Sequence, residues 1–255
     1  MLILGIVGSP RKNGRTNTLI DAALAGAAKG GAETQKLYLV DHAVKPFTGG
    51  GGSAEANTFC PPELSEQCEA SAALVLGAPV YYGDINGLTK DFMDSVRIAN
   101  SNGKPALGFA IAGGSGKGLI SGVQSIYHWF YHRQVRAIDP CPVSRFNMQP
   151  ALKALRASGE RLVEMARSPE PFPGKGREDR WADVLAHYAD IAYLNCDPVD
   201  EFLMLARHLI AVSSSEKVGQ ALRELGQAYA LIEQGKRSEA GRHAVQAYEL
   251  LYFAG

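Results

Sequence analysis

The chain carries no charge of either sign in excess: 26 basic residues balance 26 acidic ones over 255 positions. A general polyanion binder concentrates Lys and Arg, so nucleic acid is not an expected partner. Apolar residues make up 46% of the chain, yet no uninterrupted run approaches the roughly 20 residues that cross a bilayer. No membrane association is expected. The opening "MLILGIVGSP" lacks the basic leader and cleavage signal of an exported protein, and the expected compartment is the cytoplasm. Only four cysteines occur, Cys60, Cys68, Cys141 and Cys196, with no C-x-x-C pair. That argues against a zinc ribbon or a dithiol redox motif and for free thiols. No H-E-x-x-H sequence or G-x-S-x-G elbow is present. His128 and His132 are spaced i,i+4, but no third ligand accompanies them. The expectation is a partly buried or interface histidine pair, and no metal site.

What the chain does have is alternation. The continuous apolar run at 2–8 reads as a strand covered on both faces, and 34–40, 70–82, 104–114 and 134–141 read as the strands that follow. Helical patterns at 16–30, 87–99, 118–133 and 150–167 separate or close them. Such alternation implies an α/β doubly wound parallel sheet. Five strands fit the flavodoxin-like order 2-1-3-4-5. Residues 41–63 read as a long loop containing the glycine run 49–52, and 168–180, with its prolines and glycines, reads as a linker. The expected domains are therefore 1–167, the linker 168–180, and a helical extension over 181–255. In that extension Leu222, Leu225, Tyr229 and Ile232 form an apolar stripe suited equally to a subunit interface or to packing within the chain.

In a sheet of this order, ligands sit at the carboxyl ends of the strands where the order reverses. The loops that meet there are "GSPRKNGRTNT", "GAPVYYGDING" and "AGGSGKG". The first is not a Walker A loop, because five residues rather than four stand between Gly8 and Gly14, and Arg15 stands where Lys is required. It also lacks the G-x-G of a dinucleotide fingerprint. What remains is a hydroxyl-rich loop running into a helix N-terminus. Ser9, Thr16, Asn17 and Thr18 offer hydrogen bonds beside open backbone N–H groups, and Arg11 and Arg15 add charge-assisted ones. That chemistry suits a terminal phosphate monoester. The alternative is that Thr16 is an ordinary N-cap within a solvated basic turn.

"GSPRKNGRTNTL" followed by "APVYYGDINGLTKDFMDS" resembles the NADPH-dependent FMN reductase and iron–sulfur flavoprotein group of the flavodoxin-like superfamily. The resemblance implies FMN, its phosphate in the 9–18 loop. It implies that Pro79, Val80, Tyr81, Tyr82 and Gly83 border the isoalloxazine ring, and that Ala112, Gly113, Gly114 and Ser115 lie along its pyrimidine edge. It implies an oxidoreductase in which NAD(P)H delivers hydride to the flavin and a small acceptor receives the electrons. No catalytic side chain is named, and Tyr82 is the candidate for shaping the acceptor pocket. A homodimer or homotetramer is expected. Lys90 and Asp94 are read as a structural i,i+4 pair. Departing from the iron–sulfur members, the chain has only Cys60 and Cys68 in the region where the cluster motif would fall. A cubane cluster requires four thiolates, so none is expected. The rival readings are a flavin-binding electron carrier or redox sensor without nicotinamide turnover, and an interaction scaffold with a vestigial site.

Overall fold

The computed structural model describes residues 1–49 and 59–254. Gly50, Gly51 and Gly52 of the glycine run lie outside the described residues. Strand β1 (Leu2–Val7) leads into α1 (Arg15–Lys29) and returns as β2 (Glu33–Tyr38). After α2 (Pro62–Ala70), β3 (Ala73–Tyr81) turns back as the short β4 (Asp84–Ile85) and enters α3 (Gly87–Ser95). Next come β5 (Pro105–Ala112), α4 (Leu119–Arg133), β6 (Arg136–Ala137), β7 (Val143–Ser144) and α5 (Met148–Arg167). The extension contributes α6 (Trp181–Ala189), α7 (Pro198–Val212), α8 (Val218–Glu233) and α9 (Arg237–Tyr252).

The sheet order is β2-β1-β3-β5-β6, with every pairing along that path parallel. This is the doubly wound order expected from the alternation, with two refinements. The turn after β3 is a hairpin, because β4 pairs antiparallel to it. The fifth strand is not continuous over 134–141. Ala137 pairs with Ala106, and the chain rejoins β5 only where Val143 meets Ile111. Pro140 and Pro142 stand between the two contacts, and proline lacks the N–H that a ladder needs. Helix α2 begins inside the expected long loop. Only Leu64 and Cys68 of its nine residues are buried, too weak a pattern for periodicity to reveal.

Each face of the sheet has its own core. On one, Ile3, Val7 and Val75 pack under α1 and α5 with Leu19, Ile20 and Leu155. On the other, Leu4, Ile6, Leu74 and Leu76 pack with Phe92 of α3 and Ile126 and Phe130 of α4. Helices α1 and α5 touch through glycine: a Cβ on Gly159 would lie 2.0 Å from the Ala23 carbonyl, and one on Gly26 would lie 1.9 Å from that of Arg156.

The segment 168–180 is mostly exposed but is anchored at Phe172. Phe172 is 2% exposed, exchanges backbone hydrogen bonds with the Asn102 amide, and lies under the Arg136 guanidinium. Val184, Tyr188 and Ile191 join the same core as Phe92. Helices α7 to α9 form a third core around Leu205, Ala206, Ala228, Ala244 and Tyr248. Of the apolar stripe, Leu225 is buried there and Ile232 packs against it, whereas Leu222 and Tyr229 are exposed. His128 and His132 are both exposed, which removes the partly buried alternative of the two expected, and the His132 ring lies against Trp181. Lys90 pairs with Asp94 across one helical turn.

His208 of α7 joins the third core to the sheet. Asn147 Oδ1 accepts from the Ser144 N–H and its amide donates to the Pro142 carbonyl, which fixes the amide orientation. The same amide therefore donates to His208 Nε2 at 3.2 Å, leaving Nδ1–H to donate to Ser144 Oγ at 3.1 Å. A neutral ring satisfies both. Burial, aided by the Arg207 charge, holds the imidazole down to about 4 against an ordinary 6.5.

Two predictions follow from these contacts. Alanine at position 159 gains about 1 kcal/mol of helix propensity but drives a carbon into backbone. Gly159→Ala should therefore lower stability by about 1–3 kcal/mol in urea unfolding. An unchanged midpoint would contradict the close approach. For His208, the unfolded ring binds a proton that the folded ring refuses, so stability is full above pH 6.5 and falls as pH drops toward 4. His187, also held down chiefly by burial, acts in the same direction. Thermal melts of the wild type against His208→Gln should show a smaller loss over that window in the variant.

Candidate functional site

The chain leaves β1 through a pinned joint. The Gly8 N–H donates to the Gly77 carbonyl at 2.8 Å, and the Gly8 carbonyl accepts from Asn86 Nδ2 at 2.9 Å and Thr89 Oγ1 at 3.1 Å. A side chain has no room here, since a Cβ on Gly8 would stand 2.0 Å from Thr89 Oγ1. The first turn of α3 thus fixes where β1 ends relative to β3.

Beyond the joint the loop folds on itself. Ser9 Oγ accepts from the Arg11 N–H at 3.1 Å, and the Gly14 N–H reaches the Arg11 carbonyl at 3.3 Å. Helix α1 then starts with Gly14, not Thr16, at the N-cap. No side chain caps it and its first turn holds no acidic residue. An uncapped N-terminus carries partial positive charge and unpaired amides. Ser9 and Thr16 are buried beside it, and Arg11 and Arg15 are exposed at its rim.

The second loop is a tight hairpin. Tyr82 (φ 50) and Gly83 (φ 92) form the two-residue turn between Tyr81 and Asp84, and both lie in the left-handed region. Tyrosine there costs about 1 kcal/mol, a strain usually kept only where the surroundings dictate it. Tyr82 projects wholly into solvent. The third loop runs from the end of β5 to α4. Gly113 approaches Arg15, and a Cβ on Gly114 would meet no atom within 4 Å.

These loops enclose one cavity of about 540 Å³. Of the residues singled out from the sequence, Ser9, Arg11, Arg15, Thr16, Pro79, Val80, Tyr81, Gly113 and Gly114 line it. Asn17 instead accepts from the Tyr38 hydroxyl at 3.0 Å, and Thr18 continues the helix. Ala112 ends β5 opposite Ser144, and Ser115 turns its carbonyl to Tyr248. Tyr82 and Gly83 stand at the rim. Asn13, Gly14 and Ile111 also line the cavity. Asn13 and Gly14 belong to the quoted motif, but Ile111 reads as ordinary strand. A larger cavity of about 780 Å³ lies away from this edge, between α5, α7 and α8.

The donor set matches a phosphate monoester: two buried hydroxyls, an uncapped helix end and two guanidinium groups on one wall. The remaining wall is of proline, valine, tyrosine, isoleucine and two glycines, the largely apolar lining that suits a ring. A sequence profile of NADPH-dependent FMN reductases matches residues 1–144. The chain belongs to that family. It is thus an oxidoreductase of the FMN-binding class. An iron–sulfur flavoprotein of Methanocaldococcus jannaschii is 29% identical over 156 residues, 57% of this chain and 80% of its own length. One from Methanosarcina thermophila is 30% identical over 141 residues, 51% of this chain and 73% of its own. Among solved structures, RosB with a bound 8-demethyl-8-formylriboflavin-5'-phosphate intermediate superposes with TM-score 0.53 at 14% identity, covering 74% of this chain and 88% of that one. An apo NADH:FMN oxidoreductase superposes with TM-score 0.50 at 19% identity, covering 70% and 93%. These likenesses establish the fold.

The cysteines of this FMN reductase family member are dispersed. Cys60 and Cys68 sit in the core under α3 and α4, where burial raises their thiols to about 11 and 12, whereas Cys141 packs on the opposite face of the sheet. Among the described residues no three His, Cys, Asp or Glu side chains gather as a metal site. Among them, too, no helix is long and apolar enough to cross a membrane.

The joint at Gly8 yields a prediction. Asn86→Ala removes one of two donors from a buried carbonyl and should cost about 1–3 kcal/mol in urea unfolding. A variant as stable as the wild type would show that Asn86 does not hold the end of β1.

Proposed function

We propose that this chain is an FMN-dependent NAD(P)H oxidoreductase that passes electrons to a small acceptor. One observation carries the reading: the three loops at the carboxyl edge enclose a single cavity with an anion cradle at one end and an apolar, glycine-bordered wall at the other. Membership of the FMN reductase family supports it.

FMN, when bound, supplies the hydride-accepting ring and stores the electrons. The chain's part is placement. Ser9 and Thr16 would donate hydroxyl hydrogen bonds to the phosphate, the first-turn amides of α1 would add theirs, and Arg11 and Arg15 would balance its charge. Pro79, Val80 and Tyr81 form one wall of the ring site, and Gly113 and Gly114 let backbone approach its edge. Among the described residues no His, Asp, Glu, Lys or Cys lines the cavity. Of the titratable side chains described there, only Tyr81 and the two arginines stand in the wall, which suits hydride transfer, a step that needs no acid or base. Tyr82, held outward by its strained turn, borders the approach taken by nicotinamide and acceptor.

A second reading, electron transfer without nicotinamide turnover, is favoured by the named iron–sulfur flavoproteins among its relatives. In this chain it would involve no four-thiolate cluster, since the core cysteines and Cys141 lie on opposite sheet faces.

Two measurements test the proposal. FMN should quench on titration and bind on the order of 100-fold more tightly than riboflavin, which lacks the phosphate and its charge-assisted bonds. Arg11→Ala should close part of that gap by weakening FMN alone. FMN-loaded protein should then oxidise NADPH or NADH with a quinone or free flavin present. Tight FMN binding with no nicotinamide oxidation would select the second reading, and equal affinity for riboflavin would overturn the phosphate cradle.

A further inference from the structure

The family match ends at residue 144, so it assigns nothing to the helices beyond. Yet α7 and α9 reach back to the third loop of the site through four kinds of contact. Glu201 of α7, only 7% exposed, accepts from the Gly118 N–H through Oε1 and from the Ile120 N–H through Oε2, each at 2.9 Å. Tyr248 of α9 donates its hydroxyl to the Ser115 carbonyl at 2.7 Å. Leu205 closes on Gly116, where a Cβ would fall 2.5 Å from its Cδ2. Lys117 lies over the rings of Phe202 and Tyr248, 5.3 and 5.7 Å from their centres.

The contacts extend to the second loop. A Cβ on Gly118 would stand 2.3 Å from the Gly83 Cα, so the residue held by Glu201 rests directly on the strained hairpin turn. A carboxylate out of water is costly unless its oxygens are satisfied. Here each oxygen takes an amide at the start of α4, a helix that no side chain of its own caps. The carboxylate also opposes the positive end of that helix. Glu201 thus caps α4 from another part of the fold, and the cap fixes the entrance to α4.

We propose that α7 and α9 clamp the cofactor site, with Glu201 and Tyr248 as positioning residues that set the Gly113–Ser115 and Tyr82–Gly83 loops and thereby the affinity for FMN. The clamp rests on the reading of the cavity as an FMN site. Its charge has a second effect. A fixed carboxylate at the end of α4 cancels a partial positive charge that would otherwise favour added negative charge on a reduced cofactor. Removing it should raise the midpoint potential, which loosening the loop by losing a neutral hydrogen bond should not do.

The test compares wild type, Glu201→Gln and Tyr248→Phe with His243→Ala, a control that loses its 2.7 Å contact to Glu224 inside the extension and touches neither loop. Hydrogen exchange is read at residues 113–120 without cofactor, then FMN affinity by fluorescence, then the midpoint potential of bound FMN. Glu201→Gln should speed exchange at Gly118 and Ile120, weaken FMN about tenfold and raise the potential. Tyr248→Phe, which removes one oxygen and keeps the ring, should weaken FMN severalfold at unchanged potential. It keeps the test open if the first variant folds poorly. The control should match the wild type. Faster exchange with unchanged FMN affinity in both variants would overturn the clamp while the proposed function stands. Unchanged exchange in both would show that no clamp exists. A wild type that fails to bind FMN would instead overturn the proposed function, and with it the cofactor half of this inference, while exchange still decides whether the helices hold the loop.

Discussion

Helix α1 begins without a capping side chain and without an acidic residue in its first turn. A helix end in that condition leaves its first amides open to an acceptor from outside the helix. The surroundings are arranged to receive one. Two hydroxyls are buried beside the open amides, two arginines stand at the rim, and among the described residues no carboxylate lines the cavity. The placement of the helix end is itself a consequence of packing. Leu19 and Ile20 lock α1 over Ile3 and Val7, glycine contacts draw α5 against it, and Asn86 and Thr89 fix the Gly8 carbonyl at the exit of β1.

The same economy of side chains governs the other two loops. Each is shaped by backbone held from outside. The hairpin Tyr82–Gly83 is kept in left-handed geometry by β4 pairing, by Ser125 donating to Asp84, and by the contact with Gly118. Gly118 is held in turn by Glu201 from the extension. The loops at this edge and the C-terminal helices are therefore in direct contact, although the loops lie within the family match and the helices beyond it.

How much of this was legible in the sequence follows from the range of each interaction. The parallel core, its strand order and the anion loop rest on local signals: apolar runs, a hydroxyl-rich turn and a helix that follows at once. The residues at the cavity wall were readable where they sit in that motif, such as Ser9 and Thr16, and in the family resemblance, such as Pro79 and Tyr81. Ile111 was not, because its role comes from the strand carrying it past the cavity. Helix α2 was hidden by having only two buried residues, and the divided fifth strand by a short mixed run, QVRAIDPC, with only Pro140 and the Pro142 that follows to mark the break. The contacts of Glu201, Phe172 and His208 span large sequence distances and carry no local pattern. Glu201 in particular reads as one more acidic residue in the first turn of α7 until the fold brings it to α4.

The most direct test of the cradle at α1 is the phosphorus NMR signal of FMN in its complex with the protein. Free FMN phosphate titrates with a pKa near about 6. Bound among uncapped amides, buried hydroxyls and two guanidinium groups, it should give a shifted resonance that stays dianionic and unmoved from about pH 5 to 8. A resonance that titrates like the free cofactor would place the phosphate in water and contradict the account.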